Sequence, residues 1–175
     1  MRIRRLQPDD DRSSFSCGDP DYDDFIRKYA GQYQFRHHVG VTIVAVEDER
    51  VVGYATVVPA QVEIDRLTGD ERHRLPRHPV PALRLARLAV DERFQGMGLG
   101  SRLVRESFLL ALRMRDEFGC AAVIVDALES RVPFYEALGF RPLAPIEGRS
   151  RVAGTRAMYV PMRLVAAAID DNGQE

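Results

Sequence analysis

A strand-like run, Arg87-Leu88-Ala89-Val90, leads straight into Asp91-Glu92-Arg93-Phe94-Gln95-Gly96-Met97-Gly98-Leu99-Gly100-Ser101. Glycine at three alternate positions lets the backbone take up left-handed conformations and come close to a ligand. Leu99, Leu103, Ser107, Leu110 and Met114 then recur at helical spacing, so the loop opens a long helix. The first amides of a helix have no internal acceptor and carry the positive end of its dipole. Phosphate or pyrophosphate is the ligand such a cradle fits. A Walker loop would need Gly-Lys-Ser/Thr, whereas Gly100-Ser101 is followed by Arg102. The dinucleotide fingerprint needs another glycine spacing and an N-terminal position. Neither fits.

The surrounding elements must hold that loop. Ile3–Leu6 reads as a first strand. Asp19 or Asp21 is placed to cap a helix through Phe25, Ile26 and Tyr29, with Asp23 and Asp24 favourable in its first turn. Val41–Val46 and Val51–Val58 are β-branched runs joined by a charged turn, the pattern of an antiparallel hairpin. Residues 61–80, polar and arginine-rich with Pro76 and Pro79, read as a short helix and loop. Leu83–Val90 forms the next strand, and Gly119 is placed to stop the helix that follows. Ala121–Val125 is apolar enough for a sheet centre. Ser130 is placed to cap a helix with Pro133 in its first turn. Phe140–Leu143 and Ala157–Met162 complete the strands. The expectation is one α/β domain over residues 1–165, with six to seven strands in a mixed sheet and about four helices. An acidic tail is expected over residues 166–175.

Composition narrows the function classes. The chain has 175 residues, enough for a full core, and its 45% hydrophobic share beside 29% charged residues is ordinary for a globular protein. No signal core or bilayer-spanning run is visible, which points to a cytoplasmic protein. Cys17 and Cys120 match no metal or redox spacing, so neither a metal site nor a disulfide is expected. The net charge of −1 provides no global field for nucleic acid. Basic residues nevertheless cluster at Arg27–His38, which holds no acid, and at Arg72–His78.

Gln95-x-x-Gly98-x-Gly100 after the strand Arg87–Val90 resembles the pyrophosphate loop of the GNAT N-acetyltransferases. Phe134-Tyr135-x-x-x-Gly139-Phe140 resembles that family's C-terminal helix and strand. Within the family, Phe15-Ser16-Cys17-Gly18, Phe25-Ile26, Tyr29-Ala30-x-Gln32 and the entry into Arg84–Val90 are similar to the TacT/KacT-type toxins. Those toxins acetylate the α-amino group of aminoacyl-tRNA and pair with a ribbon-helix-helix antitoxin.

The resemblance implies acetyl-CoA as cosubstrate. Leu88, Ala89 and Val90 would offer backbone groups to its pantetheine arm. Gln95, Gly96, Met97, Gly98, Leu99, Gly100 and Ser101 would hold its pyrophosphate. Tyr135 would return a proton to the departing thiolate, an uphill step of only about 2 kcal/mol for a phenol and a thiol of ordinary pKa. Arg27, Lys28, Arg36, Arg72, Arg74, Arg77 and Arg87 would bind an acidic acceptor, and family analogy suggests a homodimer. No general base is evident, since Asp126 and Glu129 suit caps or solvated positions; that favours an α-amine, which titrates near 8, over a lysine. Many family members carry asparagine where this chain has Leu128. A housekeeping acetyltransferase for a small amine, a peptide N-terminus or an antibiotic, and a non-catalytic acyl-CoA-binding module, are the competing expectations.

Overall fold

The β-branched runs at the N-terminal end pair as their alternation requires. In the computed structural model, which describes residues 1–145 and 153–170, β1 (Arg2–Arg5) lies antiparallel to β2 (Val41–Glu47), with Arg2 opposite Val46 and Arg5 opposite Ile43. β2 turns into β3 (Arg50–Val62) through Asp48 and Glu49. Both turn residues have positive φ, 47° and 60°, the two-residue geometry whose twist matches that of the strands it joins. The register shifts once, between Ala45 and Val46.

Two further strands and the long helix follow in sequence. β4 spans Val80–Val90, starting earlier than Leu83 because Val80 and Ala82 are buried core residues. α3 spans Leu99–Glu117, after the short helices α1 (Pro20–Asp24) and α2 (Glu71–Arg74). β5 (Ala122–Leu128), α4 (Val132–Ala137), β6 (Arg141–Pro142), β7 (Thr155–Pro161) and α5 (Met162–Asp170) complete the described chain. The sheet has seven strands in the order β1-β2-β3-β4-β5-β7-β6, so the expected mixed α/β domain is present.

The chain divides into two compact units, Met1–Val58 with Leu85–Ser107, and Pro59–Arg84 with Phe108–Glu175. In the first, Leu6, Phe15, Phe25, Ile26, Val44, Val51, Tyr54 and Ala89 form one apolar cluster. Asp19 caps α1 by accepting from the Asp21 amide. The helical run then widens into two π-helical segments, Phe25–Tyr29 and Gln32–Arg36. Gly53 lies on the other face of β3, where a Cβ would sit 3.1 Å from side-chain atoms of both Leu99 and Leu103. A side chain there would hold α3 off the sheet.

In the second unit, Val62, Ile64, Leu67, Val80, Ala82, Ile124, Leu143 and Tyr159 cluster around the antiparallel pair β5–β7. The fully buried Tyr159 hydroxyl donates to the Thr68 carbonyl and accepts from the Thr68 amide, each at 3.1 Å. A buried phenol is thereby satisfied.

Four details depart from the sequence expectations. The buried stripe of α3 is Leu99, Leu103, Val104, Ser107, Phe108 and Ala111, with Leu110 and Met114 only half-buried. At about 100° per residue, Val104, Phe108 and Ala111 lie on the opposite side of Ser107 from Leu110, so the core face centres near Ser107 rather than on the edge that carries Leu110. Ser130 does not cap α4: Arg131 holds the cap position without a side-chain bond, and Ser130 lies inside a 3₁₀ turn, Glu129–Arg131. The strand expected over Phe140–Leu143 pairs only at Arg141 and Pro142. The boundary at residue 165 falls inside α5, whose Met162 and Val165 are buried, so residues 166–170 continue a packed helix rather than a tail. Residues 171–175 lie outside the described residues.

Candidate active site

The glycine loop belongs to the first unit. Asp91, only 1% exposed, caps the 3₁₀ turn Glu92–Phe94 through the Arg93 amide and grips the Arg93 guanidinium at 2.8 and 3.0 Å. It also accepts from the Ser16 amide. These bonds, the Arg93 guanidinium foremost, hold the Asp91 carboxyl below its ordinary range. Gln95 follows with its side-chain amide turned back on the protein, donating to the Val90 carbonyl at 2.9 Å and the Cys17 carbonyl at 3.1 Å.

Gly96 and Gly98 have φ of +75° and +77°, and a Cβ at either would meet nothing within 4 Å. Conformation, not crowding, therefore demands glycine at both positions. The first bond across the helix start runs from the Arg102 amide to the Gly98 carbonyl at 3.2 Å. Gly98, Leu99, Gly100 and Ser101 thus head α3 with amides that a helix leaves without internal acceptors. Gly96, Met97 and Gly98 are exposed, Met97 at 71%, so the loop is open to solvent. Leu99 is buried and anchors the turn. On β4, Leu88 and Val90 are half-buried and Ala89 is buried. The Gln95 side chain already engages the Val90 carbonyl.

Tyr135 belongs to the second unit, on α4, and is 6% exposed. Its ring stands edge-on to Phe134 at 5.0 Å and to Phe140 at 5.3 Å. Its carbonyl accepts from the Leu138 and Phe140 amides as the helix ends at Gly139, φ +88°. The motif Phe134-Tyr135-x-x-x-Gly139-Phe140 is therefore one local device: a glycine stop folds Phe140 back onto the tyrosine ring. Asp126 pairs with Arg84, and Glu129 with Arg156 at 3.2 Å, so both carboxylates near this helix are ion-paired. Leu128 is 44% exposed.

The basic residues sort by partner. In the first unit Arg27 donates to the Phe15 carbonyl and Lys28 pairs with Asp24, while Arg36 is exposed. Arg87 instead lies over the Phe25 ring at 4.4 Å and the Tyr22 ring at 5.5 Å. In the second unit Arg72 pairs with Asp65, and Arg74 and Arg77 are exposed. Among the described residues Arg36, Arg74, Arg77 and Arg87 have no acidic partner within 4.0 Å. No cluster of histidine, cysteine or acidic side chains among the described residues could hold a metal ion. Both cysteines are free. No described helix is long and apolar enough to cross a membrane.

The sequence model of the Acetyltransferase (GNAT) domain matches residues 38–142, from β2 through the glycine loop and the tyrosine helix. The chain belongs to the GNAT acetyltransferase family. This acetyltransferase is 35% identical over 161 residues to the "tRNA-acetylating toxin" of Mycobacterium tuberculosis (strain ATCC 25618 / H37Rv), covering 89% of this chain and 94% of the relative. Its fold superposes with a TM-score of 0.82 on AtaT complexed with acetyl-methionyl-tRNAfMet, at 24% identity over 95% of this chain and 98% of the other. It superposes with a TM-score of 0.76 on AtaTR bound with AcCoA, at 25% identity over 95% and 96% of the two chains.

Three features escaped the sequence reading. The back-bonded Gln95 side chain and the buried Asp91 tie were hidden because both look like ordinary polar loop residues. The stacking of Arg87 was legible in principle: Tyr22 and Phe25 are three apart on one helix, and so share a face.

Proposed function

We propose that this acetyltransferase moves the acetyl group of acetyl-CoA to the α-amino group of aminoacyl-tRNA and serves as the toxin of a toxin–antitoxin pair. The observation that carries the proposal is the 35% identity, over nearly the whole of both chains, to the tRNA-acetylating toxin of M. tuberculosis. A ribbon-helix-helix antitoxin, a homodimeric state and a cytoplasmic site of action are part of the same proposal.

The residues present suit acetyl-CoA. The amides of Gly98, Leu99, Gly100 and Ser101 head a nineteen-residue helix and provide donors and a dipole for a diphosphate. Gln95, Gly96 and Met97 shape that cradle, and Leu88, Ala89 and Val90 offer backbone groups to the pantetheine arm. An α-amine needs only a modest shift to be neutral near pH 8, so it attacks the thioester with water as proton acceptor. Asp126 and Glu129, each held by an arginine, are unsuited to the role of base. Tyr135 donates its phenolic proton to the departing thiolate. Arg36, Arg74, Arg77 and Arg87, free of acidic partners among the described residues, are the basic residues best able to meet phosphate; Arg27, Lys28 and Arg72 are engaged within the fold.

Induction of the gene in a bacterial host tests the reading. Growth should arrest, and Tyr135→Phe should relieve the arrest at equal protein level. Harmless expression of active, folded enzyme would instead assign it a small-amine or peptide acceptor.

A further inference from the structure

Arg87 is fixed in an unusual way for a surface arginine. Most arginines in this chain whose contacts are resolved point at a carboxylate or a carbonyl. Arg87 lies over two aromatic rings, 4.4 Å from the Phe25 centroid and 5.5 Å from that of Tyr22, and no carboxylate oxygen lies within 4.0 Å of it among the described residues. Stacking orients the guanidinium plane but leaves its N–H donors uncommitted. The rings are themselves held. Phe25 is buried, stacks on Tyr54 at 6.0 Å and meets Tyr33 edge-on at 5.4 Å, while the Tyr54 hydroxyl donates to the Tyr22 carbonyl at 2.9 Å. Burial raises the Tyr22 and Tyr54 phenols, so neither supplies a counter-charge to Arg87. A full positive charge in a preset orientation is thus presented at a half-buried position.

The face on which it sits identifies its ligand. Arg87 and Ala89 alternate onto the same face of β4, and Ala89 packs in the cluster with Tyr54. Gly53, the residue before Tyr54, faces the other way, toward Leu99 and Leu103 of α3. The diphosphate cradle therefore heads a helix on the face opposite to Arg87. The anion Arg87 meets is one the acceptor brings.

Resting on the aminoacyl-tRNA reading above, we propose that Arg87, clamped by Phe25 and Tyr22, binds the phosphodiester on the 5′ oxygen of the terminal, aminoacylated nucleotide. That is the phosphate nearest the reacting amine along the acceptor chain. A planar fork suits a phosphate as a bidentate donor, and the contact would set the position of the amino ester.

The test compares Arg87→Ala and Arg87→Lys with the wild-type enzyme on aminoacyl-tRNA and on an aminoacyl-adenosine lacking the phosphodiester. Thermal unfolding checks that each variant is folded. On tRNA, Arg87→Ala should raise KM by about 10- to 100-fold, and Arg87→Lys should recover only part of the loss. The slope of log KM against log salt should fall by about 0.7, one single-strand phosphate contact. On aminoacyl-adenosine the difference from wild type should shrink to within about twofold, and KM for acetyl-CoA should not move. An equal loss on both acceptors, an unchanged tRNA KM, or a raised acetyl-CoA KM would each overturn the assignment while leaving the tRNA activity standing. A wild-type enzyme that acetylates other amines but no aminoacyl-tRNA would overturn the reading beneath it as well.

Discussion

The Gln95 side-chain amide donates to the Val90 carbonyl at 2.9 Å and to the Cys17 carbonyl at 3.1 Å, so the first residue of the glycine loop fastens that loop to the end of β4 and to the N-terminal segment. The glutamine is thus a brace for the glycine loop. Gln95 itself is exposed, so the bonds position the loop more than they stabilise the fold. Gln95→Ala should raise the Kd for acetyl-CoA by about 3- to 10-fold, the worth of about one hydrogen bond. The melting temperature should stay within about 2 °C of wild type. Calorimetric titration beside a thermal melt reads both.

Two glycine substitutions should behave differently, for reasons visible in their surroundings. Gly98 has φ +77° and open space around its missing Cβ, so Gly98→Ala carries only a backbone cost, about 1–2 kcal/mol, placed at the head of α3. Acetyl-CoA affinity should fall more than stability. A Cβ at Gly40 would lie 2.6 Å from both the Val57 carbonyl oxygen and Val58 Cγ1, so Gly40→Ala must displace β3 backbone. Its melting temperature should drop by several degrees, with acetyl-CoA affinity of the folded fraction preserved.

Tyr135 is buried against Phe134 and Phe140, where removal of one oxygen leaves the packing in place. Tyr135→Phe should lower kcat about 100-fold or more while the Kd for acetyl-CoA changes by less than about twofold. Rapid-mix kinetics with equilibrium binding separates the two quantities. An unaltered kcat would remove the phenol from the mechanism.

The motif-bearing elements were legible because their signals are local. A strand, alternating glycines and a helical stripe announce the loop; Pro133 in the first turn and Gly139 at the end announce the tyrosine helix. Both appear where expected, as does the hairpin across Asp48 and Glu49. What was illegible depends on partners distant in sequence. Asp91 is buried because Ser16 and Val52 come to it, and nothing around residue 91 signals this. The π-helical widening at Phe25–Tyr29 is likewise invisible to a 3.6-residue pattern. Among the basic residues, the sequence shows charge but not which ones meet a partner in the fold. Arg27, Lys28 and Arg72 are spent on Phe15, Asp24 and Asp65 within the fold.

Cys17 should be a poorly reactive thiol. Burial, with the Asp23 carboxylate beside it, pushes the thiol up to about 11, well above its ordinary value. At pH 8 almost all of it is therefore protonated, and alkylation by iodoacetamide should run on the order of a hundredfold slower than for an unperturbed thiol. The rate should climb about tenfold per pH unit from pH 8 to pH 10. Because the folded pKa lies above the unfolded one, the linked stability is present below about pH 8.5 and is lost as pH rises toward 11. Rapid labelling at neutral pH, followed by mass spectrometry, would show that the pocket around Cys17 is open.

Transfer of labelled acetyl from acetyl-CoA to a mixed pool of aminoacyl-tRNA, with mass analysis of the amino acids released by mild base, addresses the central claim most directly. The account predicts label on the α-amino nitrogen of the released amino acid, dependent on Tyr135. Label confined to other amines in a competing mixture, with charged tRNA left unmodified by an enzyme that binds acetyl-CoA, would contradict it.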